Sequence, residues 1–444
     1  MNARTPLDAT ATSALESADR ARVVSALGRL PISGTERWLH PTNVYAPSAS
    51  EQLALDHKSV PATQEEAFAE YIAAAAFIHA ADSWAYLGRA LSAVLSGDVH
   101  GAVHLCYYAE LRAALSLMSA EGIYVGNGLT LALTSSGTAR ISTDGTHVAA
   151  WKCLDRWGSS SRARELFGAI IRPIGSPLHE WANAVPGGIQ HVIADLVGDI
   201  AFDLSSFADD RERRNHVSYQ PSRVQPDDLL ATEASSVVDD VWTVLEPESR
   251  GTFPVLDRLL LSHILRKSYA ASHAILDDDG NDTGNTDWSD WTGWTAAIAP
   301  AGAISDPYFV DLQATPVNDM RDAPLKGVFT RSSGPISAFL REMTLRTTVL
   351  TRLATGACVE LLSESGLADD SVAKWVDGLG YARALWEKDD APSPLIDLWA
   401  DALAAKEELE HAPKESYNTI VRSMKEYLAV LGQAERVAVW SFAS

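Results

Sequence analysis

Cysteine is nearly absent. Cys106, Cys153 and Cys358 are the only three in 444 residues, and no two form a Cys-x-x-Cys pair. That excludes a disulfide framework and a thiolate zinc site. Cations are also in short supply, since 36 Lys and Arg against 58 Asp and Glu leave a net charge of −22. A surface so acidic repels a polyanion as a whole, so any nucleic-acid site must be local. No apolar run is long enough to span a membrane, the longest being 71–81. The first twenty residues carry Asp8, Glu16 and Asp19 and lack the apolar core of a signal peptide. A reducing cytoplasm and no membrane are the expectation. The chain also has no Gly-x-x-x-x-Gly-Lys phosphate loop, no Gly-x-Ser-x-Gly elbow and no His-Glu-x-x-His. These absences count against an NTPase, an α/β-hydrolase and a zincin.

Apolar residues are plentiful, at 46%, so a globular chain with a substantial core is expected. Residues 1–64 read as an arm or cap, because Pro31, Pro41 and Pro47 interrupt any long helix. Strong helix formers then predict helices over 65–81, 82–95 and 99–120, the last stopping at Gly122. Three consecutive helices with short joins suggest an up-and-down bundle. Between 122 and 145 the period switches to β-favouring runs separated by Gly-Asn-Gly and Ser-Ser-Gly, which predicts a small β-hairpin insertion. Helices resume over 147–157, 161–170 and 188–207. Residues 65–230 are thus expected to form one helical bundle, and 231–444 a second α-helical domain with helices near 229–245, 255–276, 335–353, 354–365, 370–385, 394–409 and 414–431.

The stretch 209–221, Asp-Asp-Arg-Glu-Arg-Arg-Asn-His-Val-Ser-Tyr-Gln-Pro, concentrates cations and a histidine inside this acidic chain. Arg211 is permanently charged and forked, suited to a phosphate, while His216 titrates near neutrality and passes protons in either direction. Together they suit phosphodiester chemistry without a metal. Asn215 can orient a ring or a phosphate, and Arg214 and Tyr219 stand beside the pair. The bland alternative is a solvated basic helix end.

This order of helices, insertion, long helix and Arg211-x4-His216 resembles the HEPN family, whose core is an up-and-down helical bundle bearing an Arg-x4-6-His motif. Many members are metal-independent endoribonucleases, several act in phage defence or toxin–antitoxin systems, and they typically pair so that two motifs form one cleft. The resemblance implies that Arg211 holds the scissile phosphate, that His216 acts as general base or acid on a ribose 2′-hydroxyl, and that no cofactor is needed. It also implies RNA as substrate, a homodimer, and a protein partner or antitoxin. Glu212 departs from the small polar residue that active members often carry there, and some members bind without cutting. A catalytically silent helical scaffold or sensor is therefore the alternative. The helix carrying Cys106-Tyr107-Tyr108-Ala109-Glu110-Leu111-Arg112 is of the kind found on the bundle's inner helices, where Glu110 would orient Arg211 or His216 across the core. Otherwise Glu110 and Arg112 are ordinary surface residues.

A second basic concentration comprises Lys152, Arg156, Arg162, Arg164 and Arg172. Arg156, Arg162 and Arg164 are candidate substrate-binding residues, against the reading of a solvated charged face. The acidic loop 277–290 approaches EF-hand spacing from Asp279, but Thr286 and Asp290 replace the usual apolar residue and glutamate, and a solvated loop is expected. Trp288, Trp291 and Trp294 read as packing, and His263 and His273 as core or surface histidines.

Overall fold

The computed structural model describes residues 6–30, 38–183, 229–248, 252–276, 282–315, 336–387 and 397–443. The described chain is mainly helical, with one three-stranded antiparallel sheet and one two-stranded hairpin.

The expected N-terminal arm contains three short helices, α1 (Ala9–Glu16), α2 (Arg20–Leu27) and α3 (Ala49–Leu55). Each starts where a short polar side chain accepts an orphan backbone N–H: Asp8 from Ala11, Asp19 from Ala21 and Ser48 from Glu51. Where two helices were expected over 65–95, a single one forms, α4 (Glu65–Leu95). No proline interrupts it, its alanines cost nothing in side-chain entropy, and Asp82 stays inside the helix as an ion-pair partner of Arg383. The chain reverses through Gly97, at φ +78°, into α5 (Val99–Ala120), whose N-cap Asp98 accepts from Gly101 N–H at 2.8 Å.

Gly122, at φ +85°, ends α5 and opens the expected β insertion. Strands β1 (Ile123–Gly126), β2 (Leu129–Thr134) and β3 (Gly137–Ser142) pair in sequence order, with Tyr124 opposite Leu131 and Ala132 opposite Ala139. Next come α6 (Thr146–Gly158), α7 (Ser161–Ile170), α8 (Leu178–Asn183), α9 (Ala231–Val244) and α10 (Pro254–Ser272). Strand β4 (Ala274–Leu276) pairs with β5 (Asp282–Thr286), so the described part of the acidic loop is the arm of a hairpin. Two short helices follow, α11 (Trp291–Ile298) and α12 (Pro307–Ala314), the second inside the stretch 297–326, whose prolines and glycines predict an irregular loop or a few short strands. The chain closes with α13 (Ile336–Ser365), α14 (Asp369–Ala382), α15 (Asp397–His411), α16 (Tyr417–Ser423), α17 (Leu428–Leu431) and α18 (Glu435–Ala443). Trp288, Trp291 and Trp294 all pack around Tyr269, with ring centroids 5.2–5.3 Å away, which is the packing role expected of them.

The centre is an α4–α5 pair with α13 laid against both. Helix α13 carries threonines into this interior and satisfies them locally. Thr344, Thr347, Thr348, Thr351 and Thr355 each donate to the carbonyl four residues back, at 2.7–2.9 Å. Ser83 Oγ lies 2.7 Å from Thr351 Oγ1, and the Trp84 indole donates to Thr355 at 2.8 Å. A buried polar seam of this kind is tolerated because its members are paired. Beside it Phe77 stacks on Trp38 at 4.3 Å and meets Phe442 at 5.6 Å, while Trp375 meets Trp38 edge-on at 4.6 Å. Residues of the expected arm, bundle and C-terminal segment therefore share one core.

Candidate functional site

Arg211, Arg214, Asn215, His216 and Tyr219 lie outside the described residues, as does the helix expected over 188–207. The second basic concentration is described, and three of its five cations, Lys152, Arg156 and Arg162, are engaged by carboxylates. Lys152 Nζ is 3.0 Å from Asp144, with both side chains buried, and Arg156 pairs with Glu16. Arg162 is 3.4 Å from Glu121, 3.7 Å from Glu165 and 3.7 Å from Glu364. Arg164 is partly buried on α7. Glu121 is shared with Arg20 at 3.3 Å, and Arg20 also reaches Glu364 at 3.1 Å. Burial raises the Glu121 carboxyl, and the two arginines pull it back. This cluster ties α2, α5, α7 and α13 together, and its opposite charges compensate one another.

Glu110 is not an ordinary surface residue. It is fully buried in α5, where its Oε1 accepts from Thr347 at 3.3 Å and lies 3.7 Å from Arg346 Nε, both on α13. A carboxylate at this depth requires such partners. Three residues earlier, the Tyr107 hydroxyl is 2.9 Å from His147 Nδ1 and the two rings stack at 5.7 Å.

A set of polar side chains surrounds open space on another stripe of the same helix pair. Tyr71, Ala75 and His79 recur every four residues along α4, and Arg112, Leu115 and Ser119 follow at helical spacing on α5, so each trio shares one face. Strand β1 contributes Tyr124, and the first residue of α6 contributes Thr146. Together they line a cavity of about 200 Å³. Arg112 Nη1 is 2.9 Å from His79 Nδ1 and 3.8 Å from Asp82. A guanidinium only donates, so Nδ1 accepts and the ring proton sits on Nε2. Burial, followed by the nearby Arg112 charge, pushes the His79 pKa down to about 4 against a weaker opposing pull from Asp82. Burial likewise raises both phenols, with Arg112 pulling Tyr71 back and Tyr71 adding to the rise of Tyr124. The outcome is a neutral, oriented imidazole and two protonated phenols around one arginine. In the sequence, Tyr71 and His79 carry only the signature of a core stripe. The usable signal was the pair of spacings 71/75/79 and 112/115/119, which put a histidine and an arginine on facing helices.

Among the described residues, no group of three or more His, Cys, Asp or Glu side chains is arranged to hold a metal ion, and no helix is long and apolar enough to cross a membrane. All three cysteines are buried, and burial pushes Cys153 and Cys358 up to about 12. Compared with known family models, curated proteins and solved structures, the chain matches none of them.

Proposed function

We propose that this protein is a metal-independent endoribonuclease of HEPN type, a regulated defence or toxin effector, with Arg211 and His216 as its catalytic pair. The observation that carries the reading is the Arg211-x4-His216 motif, which follows in chain order an antiparallel helical pair, α4 and α5, that forms the centre of a mainly helical body. Arg211 binds the scissile phosphate. His216 takes the proton of the ribose 2′-hydroxyl, whose oxygen attacks the adjacent phosphorus and expels the 5′-oxygen, which takes a proton from water and leaves as a 5′-hydroxyl, with a 2′,3′-cyclic phosphate on the other product. Asn215, Arg214 and Tyr219 support the pair, and two copies of the chain meet to complete the cleft.

The −22 charge bears on regulation. An acidic surface disfavours promiscuous capture of RNA, so cleavage requires a specific RNA or an activated state. Arg156 and Arg162 are solvent-accessible but paired with carboxylates, which gives activation a physical form: release of Glu16, Glu121 and Glu364 frees their charge for a phosphate. Purified protein incubated with RNA and EDTA should yield cyclic-phosphate ends, and Arg211→Ala and His216→Ala should each remove that activity without unfolding the chain. A folded wild type that leaves RNA intact with and without candidate activators would favour the silent scaffold.

A further inference from the structure

We infer that the cavity between α4, α5 and β1 is a binding site for a phosphate monoester group, with Arg112 as its anchoring cation. The inference is independent of the nuclease reading, because none of its residues belongs to the 209–221 motif.

Four observations support it. Six hydrogen-bonding side chains from four elements line one cavity: Tyr71 and His79 from α4, Arg112 and Ser119 from α5, Tyr124 from β1 and Thr146 from α6. No carboxylate lines it. Second, these groups present donors. The guanidinium has five N–H bonds, the neutral imidazole presents Nε2–H, and the phenols and hydroxyls can turn an O–H toward an acceptor. Third, the neighbouring carboxylate leaves Arg112 its charge. Asp82 Oδ1 accepts from Arg383 at 2.7 Å, whereas Arg112 stands 3.8 Å from Oδ2, so the closer contact belongs to Arg383. Fourth, the site is preorganised, since Arg112 is tied to His79 Nδ1 at 2.9 Å before any ligand arrives.

The chemistry of the donor set selects the ligand. A planar carboxylate offers two oxygens in one plane, which a single arginine fork satisfies. A phosphate monoester offers three strong acceptor oxygens spread in space, and donors converging from two helices, a strand and a helix start match that spread. At about 200 Å³ the cavity lies below the range of drug-sized pockets. It therefore takes a phosphoryl group and a short carbon frame, such as a sugar phosphate, and not a complete dinucleotide.

The test uses the full chain with inorganic phosphate, ribose 5-phosphate and acetate as probes. Binding is followed by calorimetry and by the ¹⁵N resonances of His79. Ribose 5-phosphate and phosphate should bind saturably and raise the His79 pKa, because an anion beside the ring favours its charged form. Acetate should not displace them. Arg112→Ala should weaken binding about ten- to a hundredfold, as expected for loss of a charge-assisted hydrogen bond. Tyr124→Phe should weaken it by less than tenfold, and keeps the test decisive should Arg112→Ala fail to fold. Arg422→Ala, an exposed arginine on α16, and His216→Ala should bind as wild type. Absence of saturable phosphate binding, equal weakening by Arg112→Ala and Arg422→Ala, or displacement by acetate at equal concentration would each overturn the assignment.

Discussion

Replacing Arg352 by methionine should be among the most damaging single changes in the described core, and its effect should depend on pH in a predictable direction. Arg352 and Asp257 are both fully buried and join α13 to the first turn of α10. Arg352 Nη2 donates to Asp257 Oδ2 at 3.0 Å and to the Ile170 carbonyl at 2.7 Å. Asp257 Oδ2 also accepts the Arg172 backbone N–H at 2.9 Å, and the guanidinium carbon lies 5.2 Å from the Phe253 ring centroid. Gly356 leaves the room, since a Cβ there would stand 2.7 Å from Arg352 Nη1. Methionine roughly keeps the volume and removes the charge, leaving a buried carboxylate with one backbone N–H. Breaking a buried pair from one side costs about 3–5 kcal/mol. At about 2.1 cal/mol/K of unfolding entropy per residue, that is a fall in Tm of about 3–5 °C for a cooperative unit of this size.

Burial already raises the Asp257 pKa, with Arg352 opposing it, so methionine raises it further. A carboxyl whose folded pKa lies above its unfolded value contributes stability below the unfolded pKa and loses it as pH rises through the folded one. The deficit of Arg352→Met should therefore be largest at neutral pH and shrink on acidification. Asp257→Asn combined with Arg352→Met should recover part of it. Urea unfolding of the three proteins at several pH values is the assay. An Arg352→Met protein within about 1 kcal/mol of wild type at neutral pH, with no pH dependence of the difference, would refute the description of this pair as buried and mutually dependent.

The ring of His79 should remain neutral at pH 6 with its proton on Nε2, and Arg112→Ala should raise its pKa; histidine-selective NMR reads both. Because the folded pKa lies below the ordinary 6.5, stability attached to the neutral ring is present above 6.5 and lost as pH falls through about 4. The stability advantage of wild type over His79→Gln should shrink across that window. Gly88→Ala should destabilise despite its better helix propensity, because a Cβ would meet the Gly432 carbonyl oxygen and stand 2.7 Å from Ala434 N; thermal unfolding would show a lower Tm. Cys153 and Cys358 should react with a thiol reagent only after denaturation, since both are buried with pKa values pushed up to about 12.

Alanine-rich periodicity made α4 and α5 legible, and alternating β-favouring runs between glycines marked the sheet. The break expected at Asp82 is not found because an aspartate inside a helix is tolerated when its carboxylate has partners, and those partners, Arg112 and Arg383, are remote in sequence. Helix α12 lies in the stretch 297–326, which reads as irregular. The start of α12 was nevertheless written there, since Asp306 caps the N–H groups of Tyr308 and Phe309 and Pro307 takes the first helical position. The central place of α13 was hidden because threonines are interleaved with the apolar residues it buries, and these read as polar surface until each hydroxyl is seen bonded to its own helix. The polar cavity was half visible. Spacing put Tyr71 and His79 on one face, but only packing shows that this face meets Arg112 and Tyr124. Glu110 was singled out for a reach across the core, and among its partners there are Arg346 and Thr347.

The most direct test of the proposed function is RNA cleavage by purified wild type and His216→Ala in the presence of EDTA, with product ends assayed for 2′,3′-cyclic phosphate. Cleavage by wild type alone, with cyclic-phosphate ends, is the predicted result. Equal cleavage by both proteins, loss of cleavage on chelation, or none by folded wild type tested with candidate activators would contradict it.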